Sequence, residues 1–384
     1  MPYSGEPWFP KGTVLFSRSR AAYELLEDLG PGHHGERALL ALRRLKGEAR
    51  GRFILKVVPL PAVTAGLKLA RKRLEEEVTL ATYLRHPSIA RVYGLHRAMG
   101  ALYIITESVA GCSLNTLVEV ALARGRHFPE SFMLYVGAQI AGALAHAHTC
   151  RSEKGEPLHI VHRAIDPTRI RVTLTGQAKL TDFGLASAHL PGRKSVRLPR
   201  ARGEVYWASP EALFGEPENA RSDLFVLGMV LLEFATGKHL LSAPDMLTED
   251  LWALVPEGAR DRLNGAITRA QDEWAGVDPE DTILRAATFT PEDVECATEK
   301  LSEPTRAIFR KLLQRNPAER YTSASALQED MTKALRERGN YDGAKAAQEI
   351  RRALQRAGEA FAAEEDGAES AFSQDDITTE PAPV

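Results

Sequence analysis

The hydrophobic period changes part-way along this chain, and that change restricts the fold more than any other feature. From about Tyr23 to Val109 apolar residues alternate as in short strands, broken by one strongly charged helical stretch, Lys68 to Leu84. From Leu114 to about Arg336 helical spacing takes over, as in Phe132 running on to Ala147, with short extended pieces near Arg171 and Lys179. Strands repeat every two residues and helices every 3.6, so one pattern does not serve both. The expected class is α+β: a small antiparallel β lobe with one helix over residues 22–110, then a larger, mainly α-helical lobe over 111–335. Residues 1–21 are expected as an N-terminal extension. Residues 336–363 are expected as a C-terminal helix. Residues 364–384, without Lys or Arg and ending in Pro-Ala-Pro-Val, are expected to be a disordered acidic tail.

At 44% hydrophobic and 26% charged residues, the composition is that of a globular protein with enough apolar mass for a sizeable core. A formal net charge of −2 favours neither a nucleic-acid nor a membrane-surface partner. Cys112, Cys150 and Cys296 have neither metal-ligand spacing nor a disulfide pattern, so no metal site is expected and a reducing compartment is. The longest apolar stretches are interrupted by Gln139 and Glu233, and the first residues lack a signal-peptide layout. The expected location is the cytoplasm.

Gly30-Pro31-Gly32-His33-His34-Gly35 is a glycine-rich turn between strand-like runs, where backbone approaches a phosphate without an obstructing Cβ. Alone it is a weak signal. Phe53-Ile54-Leu55-Lys56 then sets a lysine at the end of an apolar strand, with Glu77 on the following helix as its candidate partner. Ile160-Val161-His162-Arg163, Lys179-Leu180-Thr181-Asp182-Phe183-Gly184 and Ser209-Pro210-Glu211 follow in order. With these motifs at these distances the chain resembles the eukaryotic-like serine/threonine protein kinases over about Tyr23 to Leu335.

The resemblance implies a bilobal kinase-like fold with Thr106-Glu107-Ser108-Val109 as the hinge. It implies nucleotide-site roles for Gly30, Gly32, Gly35, Lys56, Glu77, Glu107, Val109 and Asp182. His162, Arg163, Phe183, Gly184 and Asp223 are implied as structural, with Asp223 holding the His162-Arg163 backbone and Glu211 pairing with Arg320.

Against that pattern, no catalytic residue is intact. Ala164 stands where the family has its catalytic Asp, Asp166 where it has Lys, and Arg169 where it has the metal-binding Asn. A methyl group accepts no proton, and the two exchanged charges are wrong for a magnesium–phosphate complex. Glu204 replaces a Thr that would bond the lost Asp and Lys. The adenine pocket is altered at Arg37, Ile54 and Arg171. Arg169 either reaches Asp182 in place of a metal, or pairs with Asp166 three residues back or points to water.

The resulting expectation is a pseudokinase acting as scaffold or allosteric regulator in serine/threonine phosphorylation signalling. Its expected partner is a protein, either an active serine/threonine kinase or a phosphothreonine-binding protein. No cofactor and no Mg²⁺ are expected, and residual ATP binding is left open. The alternative is an active or weakly active ATP-dependent kinase using Asp166 as a displaced base, which requires a loop shift of roughly 6–7 Å. His33 and His34 are read as solvated loop residues. The basic run Arg193, Lys194, Arg197, Arg200 and Arg202, around Ser195, is read as a solvated loop, and Thr378 and Thr379 as part of a solubilising tail. The long insert 242–303, with Trp252 and Trp274, is a candidate interaction surface.

Overall fold

The computed structural model describes residues 9–32, 35–190, 205–273 and 278–372. In its first lobe, β1 (Val14–Arg18), β2 (Ala21–Pro31), β3 (Arg37–Leu45), β4 (Glu48–Pro59), β5 (Val92–Ala98) and β6 (Ala101–Glu107) form one antiparallel sheet. The strand order is β1-β2-β3-β4-β6-β5. Three hairpins close through two residues each, Ser19-Arg20, Lys46-Gly47 and Met99-Gly100, all at positive φ. Such loops match the twist of the strands they join.

β1 corrects the expectation for residues 1–21. It pairs with β2, and Leu15 and Phe16 enter the core beside Tyr23, Leu39 and Tyr103. α1 (Ala65–Leu80) begins before the charged run, where the Thr64 hydroxyl accepts from the Leu67 amide. Its inner face buries Ala70 and Leu74 and turns Glu77 towards β4.

In the second lobe, β7 (Gly111–Ser113), β8 (Ile170–Thr173) and β9 (Ala178–Leu180) form a small antiparallel sheet at the crevice. α2 (Leu114–Ala123) follows the hinge, and α3 (Glu130–Thr149) runs through the core. α4 (Pro210–Leu213) leads to α5 (Ala220–Thr236), which opens on a capping box between Asn219 and Ser222 and ends at Gly237 with φ 71°.

The insert 242–303 folds into α6 (Thr248–Ala253), α7 (Arg260–Glu273), α8 (Glu280–Thr288) and α9 (Pro291–Ala297). Leu251, Ile283, Phe289 and Val294 lie in the lobe's core. The Trp252 indole donates to Glu280 Oε1 at 2.8 Å, whereas Trp274 lies outside the described residues. α10 (Glu303–Leu312) and α11 (Ala324–Glu337) complete the lobe.

The C-terminal helix expected over 336–363 is instead α12, Gly343–Phe372. α11 ends first, and the Ala- and Glu-rich sequence after residue 363 continues the helix that was expected to stop there. No helix among the described residues is long and apolar enough to cross a membrane.

Candidate functional site

β4 and α1 bring Lys56 and Glu77 together, and the end of β9 adds Asp182. The Lys56 ammonium donates to both Glu77 carboxylate oxygens, at 2.7 and 2.8 Å, and to Asp182 Oδ1 at 2.9 Å. Burial works against the charge on Lys56, but the carboxylates of Asp182, Glu77 and Glu36 outweigh it and hold the group above the ordinary lysine range. The Lys56–Asp182 pair thus ties the two lobes across the crevice.

Asp182 also faces Arg169. Arg169 is 1% exposed; its Nε lies 3.3 Å from Asp182 Oδ2, and its other arm donates to Asp166 Oδ2. The sequence offered two partners for Arg169, and the guanidinium takes both. Asp166 is fully engaged within its own loop: Oδ1 accepts from the Thr168 amide at 2.7 Å, the Thr168 hydroxyl at 2.5 Å and the Arg169 amide at 3.0 Å.

The preceding residues are fixed from below by α5. Asp223 accepts from the His162 amide at 2.8 Å, the Arg163 amide at 2.9 Å and His148 Nε2 at 2.8 Å. Burial alone would raise the Asp223 carboxyl, but His148, His162 and the backbone donor hold it below the usual carboxylate range. Burial keeps His162 below the usual imidazole range, with Asp223 acting against it. The His162 and Phe183 rings meet edge to face at 4.4 Å. Arg163 and Asp182 both have left-handed backbones, with φ 67° and 66°, a conformation that disfavours side chains other than glycine.

The Arg163 guanidinium donates to Glu218 at 3.0 Å and to the Leu185 carbonyl at 3.2 Å. Beside it the Ala164 methyl is buried in a small apolar cluster with Leu185 and Leu69 of α1. Further down, Glu211 and Arg320 form a bidentate pair at 2.8 and 2.9 Å. The remaining Arg320 donors reach the carbonyls of Gln314, Arg315 and Arg221.

Above these groups lies a cavity of about 450 Å³ between the lobes. Glu107 and Val109 line its hinge side, Ile54 and Lys56 its roof, and Gly32 its outer edge. Arg37, placed in this pocket by the sequence reading, points away from it. β3 pairs Ala38 with Lys56 and Arg37 with Val57, so Ala38 shares the cavity face and Arg37 the opposite one. There Arg37 bonds Asp28 at 2.7 and 2.8 Å.

Arg171 does line the cavity, but its guanidinium swings to the hinge backbone, donating to Val109 O at 3.3 Å and Gly111 O at 2.7 Å. Gly30 and Gly35 turn the chain at φ 86° and 87°. Gly184 sits buried in the short turn after Asp182. Glu204, His33, His34, the basic run with Ser195, Thr378 and Thr379 lie outside the described residues.

A family profile for the protein kinase domain matches residues 23–332. The chain belongs to the protein kinase family. Its relatives among kinases include the tyrosine-protein kinase MasK of Myxococcus xanthus, 31% identical over 235 residues, or 61% of this chain and 36% of that protein. The serine/threonine-protein kinase PrkC of Bacillus subtilis is 35% identical over 167 residues, 44% of this chain and 24% of that protein. The mouse serine/threonine-protein kinase Nek10 is 26% identical over 313 residues, 78% of this chain and 27% of that protein. The kinase-like chain therefore spans about a quarter to a third of the length of these relatives.

Four side chains that organise this kinase-family site escaped the sequence reading. Glu36 faces the cavity, Glu218 neutralises Arg163, His148 completes Asp223, and Lys179 pairs with Glu107 at 2.7 Å. Glu36 was signalled by strand alternation counted back from Ala38. The other three join residues far apart in sequence, and nothing local announces them.

Proposed function

We propose that this kinase-family chain is a pseudokinase, working by binding as a scaffold or allosteric partner of an active serine/threonine kinase. The observation that carries the reading is the Arg169 guanidinium, buried between Asp166 and Asp182. In active relatives the corresponding space belongs to magnesium, held by the Asp of the Asp-Phe-Gly motif and an Asn. A guanidinium wedged between two carboxylates leaves them no role as metal ligands, so the residues present do not fit a divalent cation there.

Ala164 supports the same conclusion, because its methyl packs with Leu185 and Leu69 where a substrate hydroxyl would need a proton acceptor. Asp166 is a poor displaced base, since its oxygens already accept from Thr168 and Arg169. Meanwhile the internal frame of each lobe is intact, with the Lys56–Glu77 pair in the first and the His162–Phe183 contact and the Asp223 anchor in the second, and the Lys56–Asp182 pair joins the two. A fold that keeps its register and fills its metal seat is suited to presenting surfaces.

The test is incubation of the purified chain with γ-labelled ATP, Mg²⁺ and generic protein acceptors. No label is expected in the chain or in any acceptor. Incorporation that disappears in Asp166→Ala would overturn the proposal and establish an active kinase with a displaced base.

A further inference from the structure

α12 lies along α2, and its inner face buries Ala346, Ala347, Ile350, Ala353 and Ala357. The seam between the two helices gathers positive charge. Arg124 caps the end of α2, and Arg126 follows in the loop to α3. From α12 come Arg352 and Arg356, both exposed and four residues apart, so they share one face of the helix.

Arg124 is the fixed member of the group. Its Nε donates to the Arg126 carbonyl at 2.7 Å, and its guanidinium carbon stands 4.2 Å from the centre of the Phe128 ring. Its Nη2 is buried without a hydrogen-bond partner, which leaves Nη1 as the arm turned to solvent. Burial holds this guanidinium below the ordinary arginine range, and Arg126 and Arg356 add to the effect, with Glu349 acting against them.

Glu349 is the carboxylate at the centre. Burial pushes its carboxyl up, against the charges of Arg124, Arg352 and Arg126. Its Oε2 already accepts from the Tyr341 hydroxyl at 2.7 Å. None of the four arginines makes an ion pair with a carboxylate among the described residues. Elsewhere on this lobe arginines come paired: Arg306 and Arg310 share Glu295, and Arg338 reaches Glu130.

Four guanidiniums around one hydrogen-bonded carboxylate repel one another, and nothing among the described residues returns that cost. A cluster held in place at such a cost is suited to an anion from outside. A phosphate monoester fits best, since it brings up to two charges and three acceptor oxygens to one point, where a carboxylate brings one charge and two oxygens. A nucleic acid would call for a basic stripe on a basic chain, and the net charge here is −2.

We propose that the seam between α2 and α12 docks a phosphorylated segment of a partner protein, with Arg124, Arg126, Arg352 and Arg356 receiving the phosphate. The inference goes beyond the pseudokinase reading and holds whether or not the chain transfers phosphate. Arg124 supplies a preoriented donor, and the three exposed arginines close around the anion.

The experiment uses the full chain, without ATP and at low salt. Its retention is measured on immobilised degenerate peptides built around one phosphoserine or phosphothreonine, on the same peptides unphosphorylated, and on phosphatidylcholine vesicles containing phosphatidylserine. Retention on the phosphorylated peptides is expected to be about tenfold or more above that on the unphosphorylated ones, and to fall with added salt. Arg356→Gln is expected to weaken it about threefold or more and Arg124→Gln about tenfold. Arg356→Gln removes repulsion and breaks no ion pair, so its melting temperature without ligand is expected to equal or exceed the parent's.

Equal retention on both peptide sets, retention unchanged in Arg356→Gln, or binding to the vesicles alone would each overturn the inference. A melting temperature for Arg356→Gln well below the parent's would also overturn it, since that arginine would then be held within the chain itself.

Discussion

At the scale of single residues, Arg169 joins fold and chemistry most directly. Its side chain is buried between two carboxylates, so removing it leaves both without their shared cation. Arg169→Asn is expected to cost about 3–5 kcal/mol, the usual penalty for breaking a buried ion pair from one side. Millimolar Mg²⁺ is expected to restore part of that loss in the variant and none in the parent. Chemical denaturation with and without the metal checks both. The identities at this site were legible from sequence: Ala164, Asp166 and Arg169 follow directly after His162-Arg163. What Arg169 touches was not legible in full, because Asp166 lies three residues before it while Asp182 follows β9, and only the packed β8–β9 hairpin brings Asp182 within reach.

At the scale of elements, β1 shows where local signals fail. Its hairpin with β2 closes through Ser19 and Arg20, at φ 50° and 65°, without the Gly, Asn or Asp that announces such a turn. Arg20→Gly is expected to stabilise the chain by about 0.5–1 kcal/mol, since relief of a left-handed arginine exceeds the extra freedom glycine gives the unfolded state. The midpoint of urea unfolding should rise with an unchanged slope. α1 and α5 were easier to anticipate: each carries helical spacing and a polar cap, Thr64 for α1 and Asn219 with Ser222 for α5. The face on which Arg37 lands was misread for another reason. Motif matching counts positions, whereas the pleat of β3 and its pairing with β4 decide which side each residue takes.

Across the whole molecule, Glu211 and Arg320 bind the start of α4 to the loop before α11, and the pair is buried on both sides. Burial opposes the Glu211 charge, but hydrogen bonds and charge from Arg320 hold its carboxyl below the usual range. A depressed carboxylate contributes stability above its unfolded value, near pH 4.3, and loses it as pH falls through the lower folded value. Glu211→Gln is therefore expected to lose about 3–5 kcal/mol at pH 7 and progressively less relative to the parent below pH 4, read as melting temperature against pH. The two-lobed class follows from periodicity, a property of the chain itself, whereas this pair and the sites of altered chemistry were implied by the resemblance that the order and spacing of the motifs carry. The double engagement of Arg169, the turning away of Arg37, the meeting of arginines from α2 and α12 and the core role of the insert belong to the tertiary structure. Each depends on which side chains meet across distant segments, and in a low-dielectric interior those meetings decide which charges can remain.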